Sequence, residues 1–486
     1  MNKIMKACDF IIFGTKGDLA KRKLLPSLYY LEKFKYIHKD TRIIGVGRAN
    51  WKNEEYINLV KKSLINFLNE KIDKKIWIKF SSRLKFCNLD IYHINNFLNL
   101  KNILNKKNNI LINYFAMPSN TFVDICKGLK KIKINNKLSR IVLEKPLGNN
   151  LKTYNQINNK ILKYFNESQI YRIDHYLGKE TILNLLILRF ANNLFFSNWD
   201  NNIIDSVQIT ISEEVGIEGR FEYFDKVGQM RDMVQNHLLQ ILLLITMSIP
   251  LNLNSKSIKN EKIKILRSLR CIDYNNVEKK TVIGQYTSGI INNKTVSSYL
   301  EEIGLNKKSN TETFVSIRVD IDNFKWSGVP FYLRTGKRLN KKLSEIVIYY
   351  KKLPINLFND NIKELPQNKL IIRLQPNEGI EIHILNKILN LKNKYNLQLN
   401  KLNLNFYKKN DKNHKPDAYE RLILEIMKGI KTLFISHEEI EESWKWVDSI
   451  INGWKEKKMT PILYKSGSWG PEESNNLLKN DKRYWN

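Results

Sequence analysis

Near its start the chain runs CDFIIF straight into Gly14-Thr15-Lys16-Gly17-Asp18-Leu19-Ala20, and then into a stretch with Leu24, Leu28 and Leu31. A short apolar run closed by a glycine is expected of a buried strand, and the leucine spacing that follows suits a helix over residues 18–33. Strand, glycine turn and helix in that order open a parallel βαβ unit. The pattern then repeats. TRIIGVGR reads as a second strand, residues 54–68 as a charged amphipathic helix, and residues 86–89 as a strand. NILINYFAMP reads as a buried strand ending at Pro118, residues 121–131 as a helix, and RIVLEKP as a strand ending at Pro146. Strands alternating with helices in this way predict an α/β domain with a parallel, doubly wound sheet, placed at residues 1–175.

Beyond about residue 180 the texture changes. After the helical segment ETILNLLILRFANNLF come alternating runs, DSVQITISEE, TFVSIRVDID, VPFYLRTG, SEIVIYY and NKLIIRLQP. Alternation without regular intervening helices predicts an α+β domain, residues 176–486, built on a large and mainly antiparallel sheet. Helices return in DAYERLILEIMKGI and EEIEESWKWVDSIINGW.

Composition narrows the function classes. With 42% hydrophobic and 27% charged residues, the chain can bury real cores. The longest apolar run, LLQILLLITMSIP, is interrupted by Gln240 and closed by a proline, too short to span a bilayer. The first residues lack a signal peptide's long apolar stretch and cleavage site, and the four cysteines, Cys8, Cys87, Cys126 and Cys271, have no metal-type spacing. A reducing cytoplasm is the expected location. The formal charge of +33 would suit a polyanion partner, yet the lysines are spread through every segment among asparagine and isoleucine. Nucleic acid is therefore not expected as a partner, whereas a basic field favours sugar phosphates and phosphorylated cofactors.

Three stretches carry chemistry. The first is the glycine turn, Gly14 to Ala20 and on to Lys21, where backbone and helix N-terminus can approach a pyrophosphate. Its spacing is GxxGxxA, which a turn that merely packs tightly also satisfies. The second strand ends in Gly47-Arg48, where an acid commonly bonds the ribose 2′-hydroxyl; an arginine there favours a 2′-phosphate, unless it is only a surface residue. The second stretch is RIDHYLGKE, Arg172 to Glu180. His175 and Lys179 are four apart, so one helical turn would aim both at a single dianion; a structural ion-pair cluster is the alternative. The third is GQMRDMVQNHLLQ. Asp232 and His237 stand about 140° apart on an ordinary helix, so they share a site only if it wraps one helix end. His237 fits either a satisfied core histidine or a general base held by a carboxylate.

In order along the chain, GTKGDLAKRKLLPSLY, GVGR, NYFAMP, EKPLG, RIDHYLGKE, EEVGIEGRFEYFD through RDMVQNH, VPFYLRTGKRL, DAYERL and SGSWGP resemble the glucose-6-phosphate dehydrogenase family from about residue 10 to residue 471. RIDHYLGKE is the most distinctive of these; EKP also occurs in the wider glucose-fructose oxidoreductase group. The resemblance implies a Rossmann domain followed by an α+β domain that forms homodimers or dimers of dimers. It also implies oxidation of glucose 6-phosphate at C1 with NADP. It makes His237 the general base and Asp174 the carboxylate that orients it. His175 and Lys179, helped by Tyr176, would bind the 6-phosphate. Glu213, Asp232, Lys337 and Lys342 would hold sugar hydroxyls. Lys145 and Pro146 would lie where substrate meets cofactor, with Lys23 near the same junction. Arg48 would grip the 2′-phosphate, with Asp90 and Ile91 on the adenosine side. Lys16 stands where some members carry serine or threonine, so the resemblance leaves the preference for NADP over NAD open. No metal is implied. Competing readings are a regulatory binding protein that has lost turnover and a polyanion-binding protein.

Overall fold

The computed structural model describes residues 6–104, 110–303, 308–358, 363–388, 396–406 and 414–486; Asn109, the first residue of the NILINYFAMP run, lies outside them. The chain divides into two compact units. One comprises Met1–Glu180, Pro250–Asn260 and His414–Glu441; the other comprises Thr181–Ile249, Glu261–Asn413 and Glu442–Asn486.

The first unit is built on a seven-stranded sheet. Its strands are β1 (Cys8–Phe13), β2 (Arg42–Gly47), β3 (Leu84–Asn88), β4 (Ile110–Phe115), β5 (Arg140–Leu143), β6 (Ile170–Ile173) and β17 (Phe434–Ile435). They lie in the order β17-β6-β5-β4-β1-β2-β3, all parallel except β17. Every residue of β1 and β4 is buried, which is why both read as almost wholly apolar runs. Of their two polar exceptions, Asp9 and Asn113, the first serves the register: Asp9, paired across to Arg42, takes that guanidinium in two hydrogen bonds of 2.9 and 2.6 Å. The helix expected over residues 18–33 is a π-wound turn, Ala20–Leu24, continued by an α-helix, Leu25–Lys33. Helices Lys74–Ser82 and Leu151–Leu162 and strand β6 are elements that the sequence patterns do not announce.

The second unit carries β7 (Ile204–Ser212), β8 (Thr281–Thr287), a hairpin of β9 (Gly289–Ile291) and β10 (Lys294–Val296), β11 (Phe314–Val319), β12 (Phe331–Gly336), β13 (Leu343–Tyr350), β14 (Lys369–Gln375), β15 (Gly379–Lys387), β16 (Leu397–Asn405) and β18 (Ile462–Lys465). Nine of them form one sheet, β16-β15-β14-β13-β7-β12-β11-β8-β18. Its pairs are antiparallel except β7 with β12 and β8 with β18. The run LQILLLIT is the helix Leu239–Thr246, buried along its whole length. Among the described residues no helix is long and apolar enough to cross a membrane.

In the first sheet the strand order reverses at β1, between β2 and β4. In doubly wound sheets such a switch point opens a crevice at the carboxyl ends of the strands. Gly14 sits there with φ +84, its N–H bonded to the Val46 carbonyl at 3.1 Å. A Cβ at this position would lie 2.5 Å from the Ala116 oxygen. Gly14→Ala therefore meets both a left-handed backbone and a hard contact. It is expected to cost at least about 1–3 kcal/mol, read as a lower urea midpoint; an unchanged midpoint would show that this approach is not tight.

Candidate active site

The crevice at the switch point is a cleft of about 640 Å³. Its wall includes Gly14 and Lys16 from the turn after β1, Arg48 after β2, Ile91 after β3, and Met117 and Pro118 after β4. Strand ends thus bring together residues that lie far apart in sequence, from Gly14 to Pro118. Lys16 and Arg48 are both exposed. The Lys16 ammonium lies 4.5 Å from the centre of the Trp51 ring, a cation–π contact that restrains a long side chain. Gly17 closes the turn by donating to the Gly14 carbonyl at 2.8 Å. The remaining residues of the stretch are placed differently. Thr15 is buried and donates its hydroxyl to Tyr56 at 3.1 Å, and Asp18 is exposed and paired with Arg22 at 2.6 Å. Leu19 and Lys21 are half-buried and Ala20 is buried in the helix. Asp90 accepts from the Tyr92 N–H at 3.1 Å and pairs with His93 at 3.2 Å.

The residues fit a dinucleotide. The left-handed Gly14 and its contact with Ala116 leave the backbone bare at the cleft floor, and two cations stand on its wall. Trp51 carries no motif of its own, and only the structure places it beside Lys16.

At the end of β5, Glu144, Lys145 and Pro146 are half-buried. Nearby in the sheet order, β6 delivers RIDHYLGKE. Arg172 is buried within β6, forked onto Glu167 at 2.6 and 2.8 Å and bonded to Asn158 at 2.6 Å. Asp174, also buried, caps the next turn by accepting from the Tyr176 N–H at 2.9 Å. That turn, His175–Gly178, is a short 3₁₀ element, and Lys179 is extended at φ −73, ψ 136. His175 and Lys179 are therefore not one α-helical turn apart, which corrects the geometry expected from their spacing. A 3₁₀ turn has three residues, and the chain straightens before helix Glu180–Ala191 begins. The Lys179 ammonium instead lies 3.8 Å over the Tyr176 ring. Lys23, exposed on its helix, pairs with Asp417 at 2.8 Å.

In the second unit the register of three strands gathers the sugar-binding candidates. Ser212 of β7 pairs with Gly336 of β12 and with Leu343 of β13. Glu213, Lys337 and Lys342 are thus the next residues at one end of adjacent strands. The Lys337 ammonium is buried and donates to Glu213 at 2.7 Å, while Lys342 is exposed. Asp232 and His237 lie on Met230–Leu238, which is π-wound. Its i→i+5 bonding brings residues five apart almost above one another, so the 140° separation of an ordinary helix does not apply. His237 is buried and Asp232 is half-buried, with the Tyr223 hydroxyl bonded to it. The π helix is anchored by Glu312, whose carboxylate accepts from the Met230 N–H at 3.0 Å. Burial raises that carboxyl above the usual range. Neither Tyr223 nor Glu312 is signalled by sequence spacing.

A parallel sheet with a glycine turn at its switch point, followed in one chain by a large antiparallel sheet, places the chain among two-domain proteins that carry a Rossmann-like, dinucleotide-binding sheet. Two family models cover almost the whole chain: "Glucose-6-phosphate dehydrogenase, NAD binding domain" at residues 11–184 and "Glucose-6-phosphate dehydrogenase, C-terminal domain" at residues 186–486. The chain belongs to the glucose-6-phosphate dehydrogenase family. Glucose-6-phosphate 1-dehydrogenase of Buchnera aphidicola subsp. Schizaphis graminum is 60% identical over 481 residues, covering 99% of this chain and 98% of the relative. That of Dickeya dadantii is 58% identical with the same coverage. A glucose-6-phosphate dehydrogenase solved in complex with its substrate glucose-6-phosphate superposes with a TM-score of 0.91 at 32% identity, covering all of both chains. A levoglucosan dehydrogenase bound to NADH and levoglucosan is 8% identical, with a TM-score of 0.51 over 93% of this chain and 98% of the other; that likeness is of fold alone.

Proposed function

We propose that the chain oxidises β-D-glucose 6-phosphate at C1 with NADP⁺, giving 6-phospho-D-glucono-1,5-lactone, NADPH and a proton. The reaction is that of its family and is the first step of the oxidative pentose phosphate pathway. The observation that carries the reading is the full-length match to that family, with the RIDHYLGKE and RDMVQNH stretches intact. The choice of NADP⁺ is supported by Lys16 and Arg48, two cations on one cleft wall where a 2′-phosphate would need them.

His237 takes the C1 hydroxyl proton, and Asp174 holds the imidazole in its tautomer and stabilises the imidazolium. When bound, the nicotinamide supplies the acceptor for the hydride that leaves C1. His175, Lys179 and Tyr176 hold the 6-phosphate; Glu213, Asp232, Lys337 and Lys342 hold ring hydroxyls. Lys145 serves the junction of sugar and cofactor, and Lys23 lies near it. Gly14 to Lys21 seat the pyrophosphate, with Asp90 and Ile91 at the adenosine. Self-association as a homodimer or dimer of dimers is supported by Leu399, Leu402 and Leu404, exposed on the edge strand β16. A cytoplasmic location is supported by four free cysteines, three of them buried.

Replacing the base tests the reading directly. His237→Asn will bind glucose 6-phosphate yet lose roughly 10²- to 10⁴-fold in kcat; wild-type turnover would remove His237 from the mechanism. Arg48→Ala will raise the KM for NADP⁺ by roughly ten- to hundredfold, the value of a lost charge-assisted hydrogen bond. It will leave NAD⁺ kinetics nearly unchanged, and equal losses with both cofactors would make Arg48 structural. Lys179→Ala will raise the KM for glucose 6-phosphate by a similar factor and spare the slow oxidation of free glucose, which never uses that contact. Equal damage to both sugars would end the phosphate reading.

A further inference from the structure

Glu144, the acid of the EKP stretch, has no part in the roles above, yet two tyrosines are built around it. The Tyr114 hydroxyl, on the fully buried strand β4, donates to its Oε1 at 2.5 Å. The Tyr419 hydroxyl, from helix Ala418–Lys428, bonds to the same carboxyl group. Tyr419 is itself fixed at its backbone, where its N–H donates to Asp417 at 2.9 Å. Its ring lies parallel to the His175 imidazole, within 10°, with centroids 6.3 Å apart. The next residue along the chain is Lys145.

We propose that Glu144 is a positioning residue for the dehydrogenase reaction: gripped by Tyr114 and Tyr419, its carboxylate orients Lys145 and, through Tyr419, the ring of His175. The inference rests on the reading that Lys145 and His175 meet the substrate. A carboxylate that accepts two phenol hydrogen bonds fixes the end of β5 more firmly than a backbone turn alone. The Lys145 charge also acts on it, favouring the ionised carboxylate. The groups bearing on it are Tyr114 from β4, Lys145 beside it, Asp174 from the end of β6 and Tyr419 from helix Ala418–Lys428. Burial pushes the Glu144 carboxyl up to about 7, against the two hydroxyls and Lys145, which lower it. Near neutral pH the network therefore holds a proton that can leave, and orientation of Lys145 becomes linked to it.

The sign of that linkage is fixed. A carboxyl whose pKa is raised on folding favours the native state while it is protonated. It loses that contribution as pH rises from about 4.5 toward about 7. Glutamine at 144 cannot titrate. The melting temperature of Glu144→Gln, relative to wild type, will thus climb between pH 5 and pH 7.5 and level off above.

Kinetics are measured on the full-length enzyme with glucose 6-phosphate and NADP⁺. Glu144→Gln will lower kcat by roughly ten- to hundredfold, a lost charge-assisted contact, with the KM for NADP⁺ unchanged. A kcat within twofold of wild type, or a melting difference flat across that pH range, would overturn the proposal. Tyr114→Phe keeps the carboxyl and removes one donor, so the acid limb of its kcat profile will move to higher pH; an unmoved limb also overturns it. Lys145→Ala separates the two readings. If that variant retains full turnover, the role given to Lys145 fails. If it loses turnover while Glu144→Gln does not, the role given to Glu144 fails.

Discussion

The first unit is organised by the meeting of two backbones. After β1 the chain must turn within a few residues and enter a helix, while β4 ends against the same spot. The Ala116 carbonyl occupies the space that a side chain at residue 14 would fill. That approach sets where the helix Ala20–Leu24 begins, and it opens the crevice to which β2 and β3 add Arg48 and Ile91. Because β1 and β4 are buried along their whole length and paired in parallel register, fully packed strands frame the cleft. At the rim stand a few cationic side chains, Arg48 and Lys16, of which Lys16 is restrained by Trp51.

The second unit reaches comparable definition by other means. Strand register alone puts Glu213, Lys337 and Lys342 at one end of β7, β12 and β13. The buried Lys337 ammonium is compensated by Glu213, as a desolvated cation must be. The helix bearing Asp232 and His237 depends on its winding. Gly228, at φ +70, breaks the preceding helix and lets the Glu312 carboxylate reach the first N–H of the π segment. A Cβ on Gly228 would lie 2.3 Å from that carboxylate.

Much of this architecture was legible because burial leaves a direct trace in composition. CDFIIF, RIIGVG and ILINYF are apolar but for Asp9, Arg42 and Asn113, since parallel strands have no wet face, and the alternating runs after residue 200 mark a different kind of sheet. What remained hidden has physical causes. Helix Leu151–Leu162 is polar along most of its length, with only Tyr154, Asn158 and Ile161 buried, so periodicity says little. The four-residue β6 is masked by the motif that follows it. π winding has no compositional signature, which is why Asp232 and His237 looked misaligned in sequence. The 3₁₀ turn after Asp174 likewise defeated a spacing rule written for α-helices. Motif order supplied the candidate residues, but pairings such as Trp51 with Lys16, or Tyr114 and Tyr419 with Glu144, are made by distant segments and leave no local pattern.

The central claim is that a hydride leaves C1 of glucose 6-phosphate for a phosphorylated nicotinamide cofactor. It is tested most directly with glucose 6-phosphate deuterated at C1, supplied to the enzyme with NADP⁺ while absorbance of the reduced cofactor is followed. Reduced cofactor will form with the deuterium carried onto the nicotinamide ring, faster with NADP⁺ than with NAD⁺, and free glucose will turn over only slowly. Absence of NADPH, loss of the label to water, or equal rates with glucose and glucose 6-phosphate would contradict it.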